Sequence, residues 1–319
     1  MSPATLFRRT SLALACAALA ASLVARVNAD TPLIKIHVAT PGGDANAGAW
    51  YAQDEGFFRK VGLDADVQIL RGSGAGITAA VVGGGADIGE ADLIAIAAAR
   101  QHGIPLVILA PSGMYNGQAP TTQLIVQRGG PIKSAKDLDG KTVAVLSLEG
   151  PSKVGTAEWI DHNGGSSANV HFIEMPAPQM GEAVARGTIA AATVPEPMLT
   201  LAREKTQVLG DVYTAIAPRF QLAAWFATVD WVKKNPAAAK AFAEAIHEAA
   251  VWGNKPANHA RSADILAKHT KIDPALLPRM TRATYGETFD TSLAQPLLDA
   301  GTKYRSLQKQ QSARELIQS

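Results

Sequence analysis

From residue 33 onward, short apolar runs alternate with longer stretches in which apolar residues recur every three or four positions. A short apolar run bounded by Gly, Pro or Asp predicts a buried strand, whereas the longer spacing predicts an amphipathic helix. Strands are predicted at 33–39, 65–70, 86–89, 106–110, 122–127, 142–146, 170–173, 189–194 and 221–228. Helices are predicted at 47–60, 75–82, 92–101, 152–162, 178–186, 235–253, 256–269, 274–282 and 292–308.

The order of these elements predicts an α/β protein with two lobes. Strands that are separated by single helices form parallel sheets from βαβ units. The pattern restarts after a loop-like stretch at 116–122, and a second such stretch at 213–221 precedes a helical tail. We therefore expect a lobe 1 built from residues 30–118 and 217–319, a lobe 2 built from 119–216, and C-terminal helices packed on lobe 1.

The first 29 residues have the pattern of a secretory signal peptide. Arg8 and Arg9 precede an apolar run of roughly 15 residues, which is shorter than the ~20 that a membrane-spanning helix needs. Val27-Asn28-Ala29 then places small residues in front of a cleavage site, with Ala25 as the alternative. The leader predicts export to the periplasm, by the Sec or the twin-arginine route.

The charge balance and the cysteine content of the mature chain argue against several classes of function. Removing Arg8, Arg9 and Arg26 from the 30 basic residues leaves 27 against 28 acidic residues, a formal charge of −1. This balance gives no electrostatic attraction to nucleic acid. The single cysteine, Cys16, lies in the leader, so we expect no disulfide, thiolate metal site or thiol nucleophile in the mature chain.

Other catalytic and metal-binding patterns are weak. No serine lies in a G-x-S-x-G pattern, and the chain has no Walker A sequence. His247-Glu248 lacks the second histidine of H-E-x-x-H, and Gly72–Gly76 lacks the full dinucleotide fingerprint. The sequence therefore predicts no cofactor, no metal site and no enzymatic activity.

The loops that follow the predicted strands are the candidate ligand site. Ligands of open parallel sheets bind beyond the carboxyl ends of the strands, and several of these loops lead into a helix N terminus with free N–H donors. Two aromatic residues near the stretches that join the lobes are further candidates, since an aromatic ring at a hinge can face a ligand. The candidates are Gly43, Asp44, Arg71, Gly72, Ser73, Glu90, Ser112, Tyr115, Ser147, Glu149, Glu196 and Phe220.

Several segments match motifs of a known family, in the same order and spacing. Tyr51–Asp64 resembles "A-x-x-x-G-F-F-x-x-x-G-L-D", and Gly83–Gly89 resembles "G-x-x-D-I-G". Ser134–Val145 resembles "K-D-L-x-G-K-x-V-A-V", and Glu196-Pro197 and Asn235-Pro236 fall where the family has such pairs. Over nearly all of residues 31–310, the chain resembles the solute-binding component of sulfonate, taurine and nitrate type (SsuA/TauA-like) ABC importers.

This resemblance implies a fold, a partner and a kind of site. The fold is the type II periplasmic binding fold, in which two lobes, each a mainly parallel sheet flanked by helices, clamp a ligand between them. The partner is an ABC permease in the inner membrane, and ligand contacts come from the loops after the strands. The family also contains a desulfinase and a pyrimidine synthase that depend on cysteines, and the predicted mature chain departs from both.

We therefore expect a monomeric periplasmic receptor that captures a small organic solute and delivers it to a permease. The solute stays open between a sulfonate, an aromatic or related acid, and a pyrimidine or amine. The loops carry one arginine, Arg71, and several carboxylates, which favours a polar or amine-bearing solute over an anion. Helix N termini can nevertheless hold an anion without Arg. The alternatives are an exported lyase or hydrolase with Glu90 or Glu149 as the base, and a periplasmic sensor partner.

Overall fold

The computed structural model describes residues 32–70 and 74–318. The predicted signal peptide and the candidates Arg71, Gly72 and Ser73 lie outside these residues. The strands are β1 Ile34–Thr40, β2 Leu63–Ile69, β3 Ile88–Asp92, β4 Leu106–Pro111, β5 Gly113–Asn116, β6 Thr122–Gln127, β7 Thr142–Val145, β8 His171–Glu174, β9 Ala191–Pro195, β10 Thr206–Gly210, β11 Arg219–Gln221, β12 Ala223–Thr228 and β13 Thr284–Tyr285. The helices are α1 Gly48–Asp54, α2 Phe57–Lys60, α3 Gly74–Val82, α4 Leu93–Gln101, α5 Pro151–His162, α6 Ala177–Ala185, α7 Met198–Ala202, α8 Val229–Lys234, α9 Pro236–Gly253, α10 His259–Thr270 and α11 Thr291–Lys303.

The first sheet has five strands in the order β2-β1-β3-β12-β4. β1 runs parallel to β3, while β12 runs antiparallel to both of its neighbours. One face buries an aromatic cluster in which Trp225 of β12 and Phe58 of α2 pack against Phe242 of α9. The apolar runs at β4 and β12 predict these two strands correctly, because both are buried along almost their whole length.

The second sheet has five strands in the order β10-β6-β9-β7-β8. β7 runs parallel to β8 and β9, while β6 runs antiparallel to β9 and β10. Helix α6 packs against β9 through Met180 and Val184, both of which are fully buried. The edge strand β10 was not predicted, since a short edge strand carries little apolar pattern.

A third, smaller sheet lies where the chain passes between the two larger ones. Its order is β11-β5-β13, and all its pairs are antiparallel. β5 leads from the first sheet into β6 of the second, and β11 follows the return from β10. β13 is a third segment at this place, and the sequence does not predict it because two residues form no periodic pattern.

Two helix predictions need correction. The single helix predicted at 47–60 is divided into α1 and α2 at Gly56, whose φ of 77° is readily adopted by glycine. The helix predicted at 274–282 is wrong, because turns occupy the segment instead. Pro278 stands in the middle of that segment, where it would remove a helical N–H and clash with the preceding turn. Within the described residues, no helix is both long and apolar enough to cross a membrane.

Helix α5 packs so closely on the segment after β10 that it requires a glycine. A Cβ atom on Gly155 would lie 2.5 Å from Cδ1 of Tyr213. We expect Gly155→Ala to lower the free energy of unfolding by about 1–3 kcal/mol, measured by urea denaturation, because the core must shift to admit the methyl group. The matched control is Gly76→Ala in α3, where a Cβ meets nothing within 4 Å. Equal stability of the two variants would contradict this packing.

Candidate functional site

Asp44 follows β1 and is held by an arginine from far along the chain. Its carboxylate accepts hydrogen bonds from Arg282, with Nη2 2.9 Å from Oδ1 and Nε 3.1 Å from Oδ2. The backbone N–H of Ala283 donates to Oδ2 at 2.7 Å. Because the carboxylate is only 3% exposed and its charge is matched by a bidentate guanidinium, Asp44 acts as a structural anchor for the loop that begins at Gly43.

Two tyrosines complete the surroundings of this ion pair. The Tyr285 hydroxyl donates to the carbonyl oxygen of Asp44 at 2.5 Å, and Arg282 donates to the Tyr51 hydroxyl at 3.2 Å. Burial, followed by the charge of Asp44, raises the pKa of both phenols well above their usual range. Both tyrosines therefore stay neutral, and each buried polar group of the network has a partner.

Glu90 lies inside β3, not in a loop after it as the sequence predicted. β3 extends to Asp92 because it is a central strand paired with β12, and Glu90 stands opposite Trp225. Its side chain is fully buried and accepts hydrogen bonds from Thr40 at 2.7 Å, from Asn46 at 3.0 Å and from Ser112.

Burial raises the pKa of Glu90 to about 7, although its three hydrogen bonds act in the opposite direction. Thr40 ends β1 and Ser112 follows β4, so Glu90 joins the ends of strands across the first sheet. Glu90 and Ser112 are 0% and 3% exposed, so they stabilise the loops after β1 and β4 from within the protein interior and do not face solvent.

Tyr115 and Phe220 pack on each other in the third sheet. They are paired between β5 and β11, their ring centroids are 5.1 Å apart, and Tyr213 packs edge-on against both. The Tyr115 hydroxyl donates to Asp211 at 2.6 Å, and burial raises the pKa of this phenol above its usual range. All three rings are buried, so they form a core at the connection between the sheets.

Backbone N–H groups of the loop after β7 are hydrogen-bonded to neighbouring side chains. Those of Leu146 and Ser147 donate to the Ser152 hydroxyl at 3.1 and 3.4 Å, and that of Leu148 donates to the Glu174 carboxylate at 2.9 Å. These donors are therefore not available to a bound anion.

The side chains that this loop exposes are apolar and acidic. Leu146 and Leu148 are 45% and 42% exposed, and Glu149 is exposed beside them. Lys153, in the first turn of α5, donates to the Tyr304 carbonyl at 2.9 Å. Burial lowers the pKa of Lys153, and the nearby Glu149 opposes that effect.

Glu196 follows β9, and its carboxylate is almost completely buried. Its side chain, 2% exposed, accepts hydrogen bonds from the N–H and the hydroxyl of Thr200, both at 3.0 Å. The N–H of Thr281 donates to Oε1 of Glu196 at 3.3 Å. The Glu196–Pro197 peptide bond is cis. Glu196 is thus a helix-capping acceptor that also contacts the distant segment 281–283.

The segment 281–283 is the part of the site that the sequence did not indicate. It contacts Asp44 after β1 of the first sheet and Glu196 after β9 of the second. The sequence places it in a predicted helix, and an arginine there has no local pattern that would mark it as a partner of Asp44. The ion pair joins residues 238 positions apart.

Two cavities lie outside the predicted loops. One of about 820 Å³ has walls from residues 116–119 and 254–284, and a second of about 390 Å³ lies between α5 and the segment after β10. Neither is lined by a sequence candidate that lies within the described residues. The larger one has no wall from the second sheet, so we take the strand-end loops, which come from both sheets, as the candidate site. Among the described residues, no group of three or more His, Cys, Asp and Glu is placed to hold a metal ion.

Solved structures with the same architecture define the fold class. The periplasmic aliphatic sulphonate binding protein SsuA from Escherichia coli matches with a TM-score of 0.73 and 17% identity, over 89% of this chain and 92% of that one. The periplasmic nitrate-binding protein NrtA from Synechocystis PCC 6803 matches with 0.73 and 18%, over 90% and 86%. The desulfurization enzyme DSZB matches with 0.63 and 11%, over 89% and 96%. The chain has the type II periplasmic binding fold, as the family resemblance implied.

The chain belongs to the NMT1/THI5-like family, whose family model matches residues 45–257. Among curated proteins, none matches the chain. The resemblance to the sulfonate, taurine and nitrate type of binding protein is confirmed by this family and by the fold.

Proposed function

We propose that the protein is the solute-binding component of an ABC importer. The observation that carries the proposal is the meeting of strand-end loops from two separate sheets. Asp44 after β1 and Glu196 after β9 both bond to the segment 281–283, so the carboxyl ends of the two sheets face each other. Ligands of such sheets bind beyond these ends. A solute held there would be enclosed when the sheets approach, and a permease would recognise the closed form.

The lobe boundaries and the compartment form part of the same proposal. Lobe 1 comprises residues 30–118 and 217–319, and lobe 2 comprises 119–216. The strand orders support this division, since β12 completes the first sheet while β6 to β10 form the second. We assign residues 1–29 as a cleaved signal peptide, the periplasm as the compartment, and an inner-membrane permease as the partner of a monomeric receptor.

The surroundings of Glu90 and Glu149, the two carboxylates that could act as general bases, favour a binding role over catalysis. Glu90 is fully buried under its own hydrogen-bond donors, so it cannot reach a substrate. Glu149 is exposed, and the neighbouring N–H groups of Leu146 and Leu148 are bonded to Ser152 and Glu174. General base catalysis needs a base within hydrogen-bond reach of a substrate proton and a partner that orients it.

Within the receptor role, we assign the ligand as a solute with an apolar body and an amine. Leu146 and Leu148 offer an apolar wall at the loop after β7, and Glu149 offers a carboxylate next to it. The N–H groups of Leu146, Ser147 and Leu148, which could otherwise stabilise an anion, are bonded to Ser152 and Glu174. An ammonium group beside Glu149 would form a charge-assisted hydrogen bond.

A thermal-shift panel with hexylamine, hexanesulfonate, hexanoate, nitrate and a pyrimidine tests both statements. We expect hexylamine to raise the melting temperature, since a ligand at 100 times its Kd stabilises by about 2.7 kcal/mol. Glu149→Gln should weaken its binding about tenfold, the size of one hydrogen bond to a charged group. Glu244→Gln, on the exposed face of α9, is the matched control.

The panel separates the two statements. Binding of hexanesulfonate or hexanoate in place of hexylamine would overturn the amine assignment and support the receptor. The absence of binding by any solute, together with turnover of one of them, would overturn the receptor.

A further inference from the structure

Residues Thr281–Ala283, which we call the bridge segment, connect loops of the two large sheets. On one side, Arg282 and the N–H of Ala283 bind the carboxylate of Asp44. On the other side, the N–H of Thr281 donates to Glu196. A chain of hydrogen bonds therefore runs from the loop after β1, through three consecutive residues, to the loop after β9.

The bridge segment is fixed to the third sheet and to the C-terminal end of α9, a helix that packs on the first sheet. Immediately after it, β13 pairs with β5, and the N–H of Tyr285 donates to Oδ1 of Asn254 in the turn that follows α9 at 2.9 Å. The Tyr285 hydroxyl also bonds to Asp44. Ionic and backbone contacts thus hold this side, whereas the contact toward Glu196 is a 3.3 Å hydrogen bond at a neutral backbone donor.

The Glu196 carboxylate, which accepts the hydrogen bond from Thr281, is held in place by residues in and just after helix α7. Both oxygens of the Glu196 carboxylate are oriented by Thr200, and Arg203 lies 3.5 Å from Oε1. The carboxylate therefore keeps its position on the second sheet whether or not Thr281 is present. A rigid acceptor that faces a donor on another rigid body forms a contact that depends on the distance between the bodies.

We propose that the bridge segment is a closure latch, in which the Thr281–Glu196 hydrogen bond forms when the two sheets approach and breaks when they separate. Glu196 then positions the second sheet and does not hold the solute. Asp44 lies in the loop that begins at Gly43 and is bonded to Arg282 of the bridge segment. A solute that binds this loop therefore contacts the same part of the protein to which the latch is attached. Thr281 and Arg282 are therefore positioning residues of the site.

The latch is tested by measuring the distance between the sheets without any ligand. Spin labels are attached to Ala79→Cys on α3 and Gln179→Cys on α6, which lie on exposed positions beside the first and second sheets. The background is full-length Cys16→Ser, in which these two thiols are the only ones. Distance distributions are then recorded by pulsed electron spin resonance.

Glu196→Ala removes the acceptor, and Thr281→Pro removes the donor while keeping the carboxylate. We expect each to raise the ratio of long to short separations about three- to tenfold, as the loss of one hydrogen bond would. The double variant should add little to either single change, since both remove the same bond. Glu248→Ala, which removes an exposed carboxylate that pairs with Lys60 between α2 and α9, is the matched control and should leave the ratio unchanged.

Unchanged distributions in both Glu196→Ala and Thr281→Pro would overturn the latch, as would an equal change in Glu248→Ala. A lower melting temperature without a change in distance would also overturn it, because it would show a purely structural contact. Since no ligand enters the measurement, its result is independent of the solute panel that tests the receptor.

Discussion

Replacing Arg282 with methionine lowers the free energy of unfolding by about 3–5 kcal/mol, the range for removing one partner of a buried ion pair. Methionine keeps an unbranched side chain but leaves the Asp44 carboxylate without a cation. That carboxylate is 3% exposed, so water cannot replace the guanidinium. The buried hydroxyls of Tyr51 and Tyr285 would then face an unbalanced charge. Urea denaturation of the two proteins at pH 7 gives the difference.

A surface ion pair provides the control for this effect. Lys60 contacts Glu248 at 2.7 Å, but the two side chains are 65% and 37% exposed. Lys60→Met should cost under about 1 kcal/mol, because exposed pairs are screened by solvent. If Arg282→Met were no more costly than Lys60→Met, the Asp44–Arg282 pair would not be the anchor of the loop after β1.

The sequence predicts local elements well because their patterns are local. Buried strands such as β4, β6 and β9 appear as apolar runs, and long helices such as α9 keep their spacing over several turns. The segment 274–282 was predicted as a helix because it carries apolar residues at suitable intervals. Its turns, and the position of Arg282 at their end, depend on a partner at the other end of the chain.

The candidate site likewise depends on contacts between distant parts of the chain, which local sequence patterns do not predict. The sequence predicts that the loops after the strands hold the ligand, because ligands of open parallel sheets bind beyond the carboxyl ends of the strands. The roles of individual side chains were not accessible, because burial decides them. Asp44 and Glu90 look alike in the sequence, yet one is paired with a cation and the other is held by neutral donors. Tyr115 and Phe220 could not be distinguished from exposed aromatic residues before their pairing in the third sheet was known.

Glu90 makes stability depend on pH in a way that one substitution removes. Burial raises the pKa of its carboxyl from 4.5 to about 7, so between these values the folded protein binds a proton that the unfolded chain releases. This contribution is fully present below pH 4.5 and is lost as the pH rises through 7. The linkage amounts to about 3 kcal/mol.

We expect the free energy of unfolding of the wild type to fall, relative to that of Glu90→Gln, by about 2–3 kcal/mol between pH 5 and pH 8. Glutamine has nearly the same shape and can still accept from Thr40 or Ser112, but it does not titrate. Burial also raises the pKa of Asp92, to about 6, and this effect cancels because both proteins contain Asp92. Urea denaturation at intervals across this range measures the difference. Parallel pH profiles would show that Glu90 stays ionised in the folded protein, and its three donors would then outweigh its burial.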